Sequence, residues 1–498
     1  MNKFQLLKQK WIYGVLAILL ALVCYHYVPE TTYPQAPTMA AIVVIMAIFW
    51  IFEIVPIAVT SLLPIFLFPL FGILDTKATA LFYGKEIIFL FLGGLMLAQG
   101  IQQANLHKRI ALHLVNIIGS KPSYLVLGFM VTTAGLSMWI SNTAAVMVMM
   151  PIGISIIEEI KEAKKGKQFI SKFAVAIMLG IAYAADIGGM ATLIGTPPNL
   201  VFMEMYHDLF PELPKIGFTQ WMLMGLPLAI TFIFTGWLLM TKVIFRMPKI
   251  DFFESHGVIK NLLQNLGKIR RDEIASGVIF LMAVILWITG SDITLSDSFT
   301  IHGWRSTFGF EAVSDAAIAV ATSLLLFLIP SKDRPQEMLL KWNKVQELPW
   351  GVMLLFGGGF AIAGGFDSSG LSQIIGNLFT NLAIDSPLLI VLISCTILTL
   401  LTEITSNTAT TTLVLPILAK ASIVLGIDPR VLMIPATLSA SCAFMMPIAS
   451  PTQAIIFGSG HVNIKQMVRA GILFNILGII VVTGVFFLVA KFAFGITV

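Results

Sequence analysis

Long apolar runs separated by short polar stretches dominate the chain. Runs near 11–28, 36–53, 56–74 and 87–104 predict helices that cross a membrane, since a crossing takes about 20 mainly apolar residues. Further runs lie near 221–241, 274–290, 313–330, 350–366 and 469–490. Residues 105–120 mix polar and apolar positions, among them Asn105, Lys108, Arg109 and His113, and predict an interfacial helix. The runs are continuous rather than alternating, which argues against a transmembrane barrel.

Four other runs are interrupted. Residues 123–160 are broken at Ser141-Asn142-Thr143, and residues 386–424 at Ser406-Asn407-Thr408. Pro-Ile follows both at the same distance, as Pro151-Ile152 and Pro416-Ile417. A shift of 265 residues carries the first tripeptide onto the second, and Gly93, Gly94, Ala98, Gly100 and Leu106 onto Gly358, Gly359, Ala363, Gly365 and Leu371. Residues 172–206 are interrupted at Gly195-Thr196-Pro197-Pro198-Asn199, and residues 430–457 near Ser450-Pro451; here the shift is 254. The chain therefore reads as two related halves. About 17 residues flank each side of Ser141, which is marginal for a full crossing, so each Ser-Asn-Thr is predicted to tip a re-entrant hairpin.

Composition sharpens this picture. Hydrophobic residues make up 57% and charged residues 11%, against about 25% charged in soluble domains, so lipid must solvate much of the surface. The fold class is an all-α polytopic membrane protein. Charge orients it. With the N-terminus inside and both hairpins re-entrant, all but seven of the 31 Lys and Arg face the cytoplasm, as positive-inside bias requires. The net charge of +5 reflects this bias rather than affinity for nucleic acid. The prediction is about eleven transmembrane helices, two hairpins and two broken helices, with the N-terminus cytoplasmic and the C-terminus outside. The hairpins enter from opposite faces, so the repeat is inverted, an architecture of secondary transporters that bind near the midplane. Residues 1–120 and 211–385 are expected to form scaffold, 121–210 and 386–460 the two transport units, and 461–498 the last span.

Smaller signals fit. Lys3, Lys8 and Lys10 before an apolar run resemble a signal peptide, but no small-x-small cleavage site follows, so an uncleaved span is predicted. Cys24, Cys395 and Cys442 form no CxxC pair and imply neither a disulfide framework nor a thiol metal site.

The interruptions carry the candidate chemistry. Irregular backbone at membrane depth survives where protein buries it or it lines a wet cavity. At a hairpin tip one helix ends in free carbonyls, which suit a small cation, and the next begins with free N–H groups, which suit an anion. Ser, Asn and Thr add donors and acceptors. One such tripeptide alone reads as a helix cap; a matched pair, each followed by a broken helix, reads as a binding chamber. Gly93-Gly94 and Gly357-Gly358-Gly359 read as close helix packing. Asp186 is an acid inside a span, costly and functional by default; it could take a proton or cation, or hold helix ends. Glu53 and Glu403 read as structural.

With these motifs in hand, the chain resembles the divalent anion/sodium symporter family. Phe49-Trp50-Ile51-Phe52-Glu53-Ile54-Val55-Pro56, the two Ser-Asn-Thr tips and Gly195-Thr196-Pro197-Pro198-Asn199 carry the resemblance, which covers nearly the whole length. It implies a homodimer whose transport domain moves like an elevator, carrying C4–C5 dicarboxylates such as succinate, malate, fumarate and 2-oxoglutarate. Coupling would be by sodium symport or by dicarboxylate exchange. The implied substrate contacts are Ser141, Asn142, Thr143 and Thr196 with Ser406, Asn407, Thr408 and Ser450. The implied sodium sites are Ser137, Ser141, Asn142 and Gly195, and Thr402, Thr405, Asn407 and Ala449. Two positions depart from the family pattern: Ser450-Pro451-Thr452-Gln453 stands where Thr-Pro-Pro-Asn is common, and Asp186 where a small neutral residue is usual. Asp186 is a candidate coupling residue. No organic cofactor is implied.

Other readings are an inorganic oxyanion (sulfate) transporter of the same fold and, lower, an intramembrane enzyme. The seven His include no His-Glu-x-x-His, and Asp186 has no evident partner acid, so the chain is not expected to be an enzyme. No GxxxxGK[ST] loop is present for nucleotide-driven pumping.

Overall fold

The computed structural model describes residues 3–28, 33–117, 121–162, 167–247, 255–296, 299–379 and 386–496. Parts of three predicted loops, at 163–166, 248–254 and 380–385, lie outside the described residues. Helices α1 (Lys3–Tyr27) and α2 (Ala36–Ile51) match the first two runs and pack together. The chain turns after α2 with Glu53 at a positive φ of 43°, and the Glu53 carbonyl accepts from Lys10 Nζ at 2.5 Å.

The third predicted span is instead two helices, α3 (Ile57–Thr60) and α4 (Leu63–Leu70). Ser61 makes the join. Its hydroxyl donates to Ile57 O at 2.8 Å and accepts from Trp50 Nε1 at 3.2 Å. Its carbonyl accepts from the Tyr83 hydroxyl at 2.5 Å. Side chains thus supply partners that an unbroken helix would supply itself. Gly358 packs on the same join, where a Cβ would stand 2.5 Å from Ser61 O.

Helix α5 (Thr76–Leu81), capped by Asp75, leads to α6 (Glu86–Ala104). Asn105 turns the chain at φ 63°, and α7 (Leu106–Ile117) is the expected amphipathic helix. Arg109 of α7 donates to Glu273 at 2.6 Å and 3.2 Å and to the carbonyls of Leu266, Gly267 and Lys268.

The first hairpin is α8 (Pro122–Ser137) and α9 (Asn142–Glu162). At 1.5 Å per residue α8 is about 24 Å long, short of a hydrocarbon core of about 30 Å. Then come α10 (Lys167–Gly189) and α11 (Pro197–Leu209), separated by irregular chain over 190–196. The break therefore starts well before the Pro pair. Helix α10 is buried from Phe173 onward and forms the centre of the molecule. Gly188 permits its contact with α8: a Cβ there would lie 2.4 Å from Ala134 O.

Next are α12 (Phe218–Leu238), which continues as a π turn to Ile244, α13 (Ser255–Asn265) and α14 (Arg271–Ile288). An unpredicted ribbon pairs β1 (Ile293–Ser296) with β2 (Phe299–Ile301). Helices α15 (Trp304–Phe308), α16 (Asp315–Leu328), α17 (Trp342–Gln346) and α18 (Trp350–Ser368) follow. Helix α19 (Leu371–Phe379) begins at the residue that pairs with Leu106 at the 265 shift. The second hairpin is α20 (Pro387–Thr402) and α21 (Asn407–Leu425). The second broken helix is α22 (Pro429–Ala440) and α23 (Pro451–Gly458), with irregular chain over 441–450. Helix α24 (Ile464–Phe494) is longer than the run that predicted it.

Among the described residues, eight helices are long and apolar enough to cross a membrane, and five shorter apolar segments accompany them. Helices α6, α14 and α16 pack on one another. Gly93 sets the α6–α16 distance, since a Cβ would meet Ala319 at 2.6 Å. Helices α12 and α24 pack together and against α8, α20 and α22.

Candidate functional site

Each hairpin tip is stitched to a broken helix by the same device. In the first half the Ser137 hydroxyl lies 2.7 Å from Asn142 Oδ1 and 2.7 Å from Ala185 O. In the second, the Thr402 hydroxyl lies 2.6 Å from Asn407 Oδ1 and 2.8 Å from Ala440 O. Ser137 closes α8 and Asn142 opens α9; Thr402 closes α20 and Asn407 opens α21. A single hydroxyl proton faces two acceptor oxygens at each tip. Lone pairs are in surplus there, which suits a small cation.

Other oxygens join the first cluster. A Cβ on Gly189 would stand 2.7 Å from Asn142 Oδ1 and 3.2 Å from Gly195 O, and a Cβ on Gly195 would meet Gly189 O at 2.5 Å. Only glycines let the two strands of irregular chain approach so closely. Ser137, Asn142 and Gly195 are thus brought together. Ser141 is half-buried and caps α9, with Ala144 N donating to its hydroxyl at 3.3 Å. Thr143 sits half-buried beside it. Thr196 precedes Pro197 as the N-cap of α11, its side chain making no capping bond.

In the second cluster Ser406 is the N-cap of α21, and Thr408 is buried one residue into the helix. The Thr405 hydroxyl pairs with Leu401 O at 2.8 Å and with the Thr410 hydroxyl, so it serves its own hairpin. Ala449 is buried at the end of the break, where its N–H donates to Met446 O at 3.1 Å.

The Ser450 hydroxyl is engaged within a ring of side chains. It lies 3.3 Å from Asp186 Oδ2 and 2.5 Å from the Thr452 hydroxyl. Thr452 donates to both Asp186 oxygens at 3.0 Å and 2.9 Å, and Gln453 Nε2 reaches Asp186 Oδ2 at 3.3 Å. Asn142 Nδ2 completes the ring, 3.2 Å from Asp186 Oδ1. The two departures noted in the sequence are therefore in contact with each other. Gln453 and Thr452 carried no assigned role in the sequence reading. The usable signal was that Gln453 falls on Asn199 at the 254 shift. Asn199 donates to Gly189 O at 3.1 Å and Thr192 O at 2.7 Å, binding up the first break.

The second break is held by a second acid. Glu403, buried at the hairpin tip, accepts from the backbone N–H groups of Phe444, Met445 and Met446 and from Asn475 Nδ2 at 2.7 Å. The Tyr183 hydroxyl donates to Phe444 O at 3.0 Å, tying α10 to the same segment. Both acids thus act on the irregular chain of the second half.

A polytopic bundle with broken helices and polar hairpin tips at their breaks is the framework of a membrane transporter. The chain belongs to the family described as the sodium:sulfate symporter transmembrane region, whose model matches residues 7–492. It is 42% identical over 491 residues to the sodium-dependent dicarboxylate transporter SdcS of Staphylococcus aureus, covering 98% of this chain and 92% of the relative. The SdcS of Staphylococcus saprophyticus is 40% identical over the same coverage. Among solved structures it resembles Neisseria gonorrhoeae MtrF, with a TM-score of 0.57 and 12% identity over 97% of this chain and 94% of that one. The Alcanivorax borkumensis YdaH transporter aligns with a TM-score of 0.53 and 13% identity over 98% of both chains. These two likenesses bear on fold alone.

Proposed function

We propose that this protein is a secondary transporter of C4–C5 dicarboxylates with sodium as its coupling ion. The observation that carries the reading is the duplicated tip: Ser137–Asn142–Ala185 and Thr402–Asn407–Ala440 have the same geometry in two halves. Two oxygen-rich clusters suit two small cations, and the helix starts beside them suit the two ends of a dianion. The names of the 40–42% identical relatives support the substrate class and the ion.

In this reading Ser141, Asn142, Thr143 and Thr196 face Ser406, Asn407 and Thr408 across the substrate. Ser450 contributes through the turn it caps, because its hydroxyl is engaged by Asp186. Sodium takes Ser137, Ser141, Asn142 and Gly195 in one half, and Thr402, Asn407 and Ala449 in the other, with Thr405 supporting the hairpin.

The hairpins enter from opposite faces of an inverted repeat. In support, the start of α8 meets the end of α12, where Trp237 Nε1 donates to Ser123 O at 2.7 Å. At the other end of α12, Phe218 N donates to Asp315 at 3.2 Å. Lys420 near the end of α21 pairs with Asp367 at 2.9 Å, in the last turn of α18. The N-terminus is cytoplasmic and the C-terminus outside. The moving unit comprises both hairpins, both broken helices, α12 and α24. It slides as an elevator against a scaffold that dimerises.

The test is uptake of labelled succinate into proteoliposomes. An imposed sodium gradient is compared with internal dicarboxylate in the absence of sodium. Uptake driven by sodium is expected. Uptake only with internal dicarboxylate replaces symport by exchange, and no uptake of any dicarboxylate overturns the substrate class. The family's description makes sulfate the competing substrate; sulfate uptake without succinate uptake would establish it.

A further inference from the structure

The matched asparagines are held differently. Asn142 is fixed at both ends of its amide, Oδ1 by the Ser137 hydroxyl at 2.7 Å and Nδ2 by Asp186 at 3.2 Å. Asn407 Oδ1 repeats the first of these bonds with Thr402. The shift that carries Ala185 onto Ala440 puts Ser441 at the place of Asp186, and the buried Ser441 hydroxyl has no partner among the described residues. A carboxylate therefore sets the direction of the amide in one half and not in the other.

That direction matters for a cation. With Nδ2 tied to Asp186, the amide oxygen faces the Ser137 hydroxyl, Gly189 and the Gly195 carbonyl. Flipping the amide would turn two N–H donors into this oxygen cluster and repel a positive ion. A carboxylate accepts and never donates when ionised, so it selects the oxygen-inward orientation.

The same carboxylate reaches the other half. Ser450 is the N-cap of α23 and Thr452 and Gln453 lie in its first turn, and all three donate to the carboxylate. Asp186 is 2% exposed, and a buried charge is tolerated when hydrogen bonds satisfy it. In the first half, Asn199 turns its amide onto its own break. Gln453, one methylene longer, crosses to Asp186. Its fully buried Oε1 is left without a partner among the described residues.

We propose that Asp186 is the positioning residue of the first sodium site. It holds Asn142 Oδ1 toward the ion and ties that site to the first turn of α23, so that ion occupancy and the order of the second break form one equilibrium. This rests on the reading of Ser137, Asn142 and Gly195 as a sodium site. An ion drawn onto Asn142 Oδ1 tightens the amide against Asp186, and Asp186 in turn orders Ser450, Thr452 and Gln453.

The test uses purified full-length protein. Its thermal stabilisation is titrated with sodium chloride against choline chloride, with no dicarboxylate present, and sodium-dependent succinate uptake is measured in parallel. Asp186→Asn, which can present an N–H to Asn142, is expected to raise the half-saturating sodium concentration about 10-fold in both assays. The succinate KM at saturating sodium is expected to move less than about twofold. Asp186→Glu is expected to recover part of the sodium affinity. An unchanged sodium requirement, or sodium and succinate constants that rise together, overturns the proposal. So does a wild-type protein that sodium does not stabilise. If Asp186→Asn does not fold, Thr452→Val decides: a rise of about threefold supports the proposal, and no rise overturns it. Sodium stabilisation without uptake of any dicarboxylate overturns the substrate reading alone, and the Asp186→Asn stabilisation titration then still decides this one.

Discussion

Glu403 accepts the backbone N–H of Phe444 at 2.8 Å, and with it those of Met445 and Met446. A hairpin-tip carboxylate thereby takes the place of the helix ladder in the second break. Hydrogen bonds to a charged group contribute about 1.5–3 kcal/mol each. Glu403→Gln, which keeps the shape but removes the charge, is expected to destabilise the protein by about 2–3 kcal/mol. The measurement is the melting temperature of the purified protein in detergent; an unchanged value would show that the break holds itself.

Asn142 and Asn407 occupy the same place in the two tips, each within hydrogen-bond distance of a hydroxyl that also reaches a broken helix. Asn142→Ala and Asn407→Ala are each expected to lower succinate uptake to background while the protein still elutes folded, at the same volume as the wild type. Near-normal uptake in either variant would move the substrate site away from that tip.

Glu273 sits at the start of α14 with its side chain 1% exposed. Burial pushes its carboxyl up, but hydrogen bonds from Arg109 and Arg270 outweigh this and hold it below the usual carboxylate value. A group depressed in the folded state contributes stability above its unfolded pKa, about 4.3 for Glu. That stability is lost as pH falls through the folded value. The wild-type melting temperature should fall between about pH 5 and pH 3. Arg109→Met should be less stable at pH 7 by about 3 kcal/mol and show a flatter decline, which thermal unfolding across this pH range will report.

Gly188 lets α10 touch α8, and a Cβ there would lie 2.4 Å from Ala134 O and 2.5 Å from Ala134 Cα. Backbone cannot swing aside as a side chain can. Gly188→Ala is expected to cost about 1–3 kcal/mol, read as a lower melting temperature. Gly135→Ala, with nothing within 4 Å of the added Cβ, is the control and should leave the melting temperature within about a degree of wild type.

What the chain's linear order determined is what depends on local runs. An apolar stretch of sufficient length must be a buried or lipid-facing helix whatever surrounds it, so α1, α2, α6, α12, α18 and α24 were legible. So were the hairpin tips, because Ser-Asn-Thr interrupts such a stretch twice at a constant spacing. Helix α19 escaped notice because a nine-residue amphipathic segment carries little signal unless its counterpart α7 is used as the guide. The break after Thr60 escaped because it depends on Trp50, Tyr83 and Gly358, none adjacent to Ser61. Tertiary structure alone decided how the acids act. Asp186 and Thr452 are 266 residues apart, and Glu403 and Phe444 are 41 apart. Their partners were chosen by which irregular backbone and which hydroxyls the packing of α10, α20 and α23 brought to an otherwise unpaired charge. A run of residues can announce that a buried acid must find donors; only the packed bundle decides which ones.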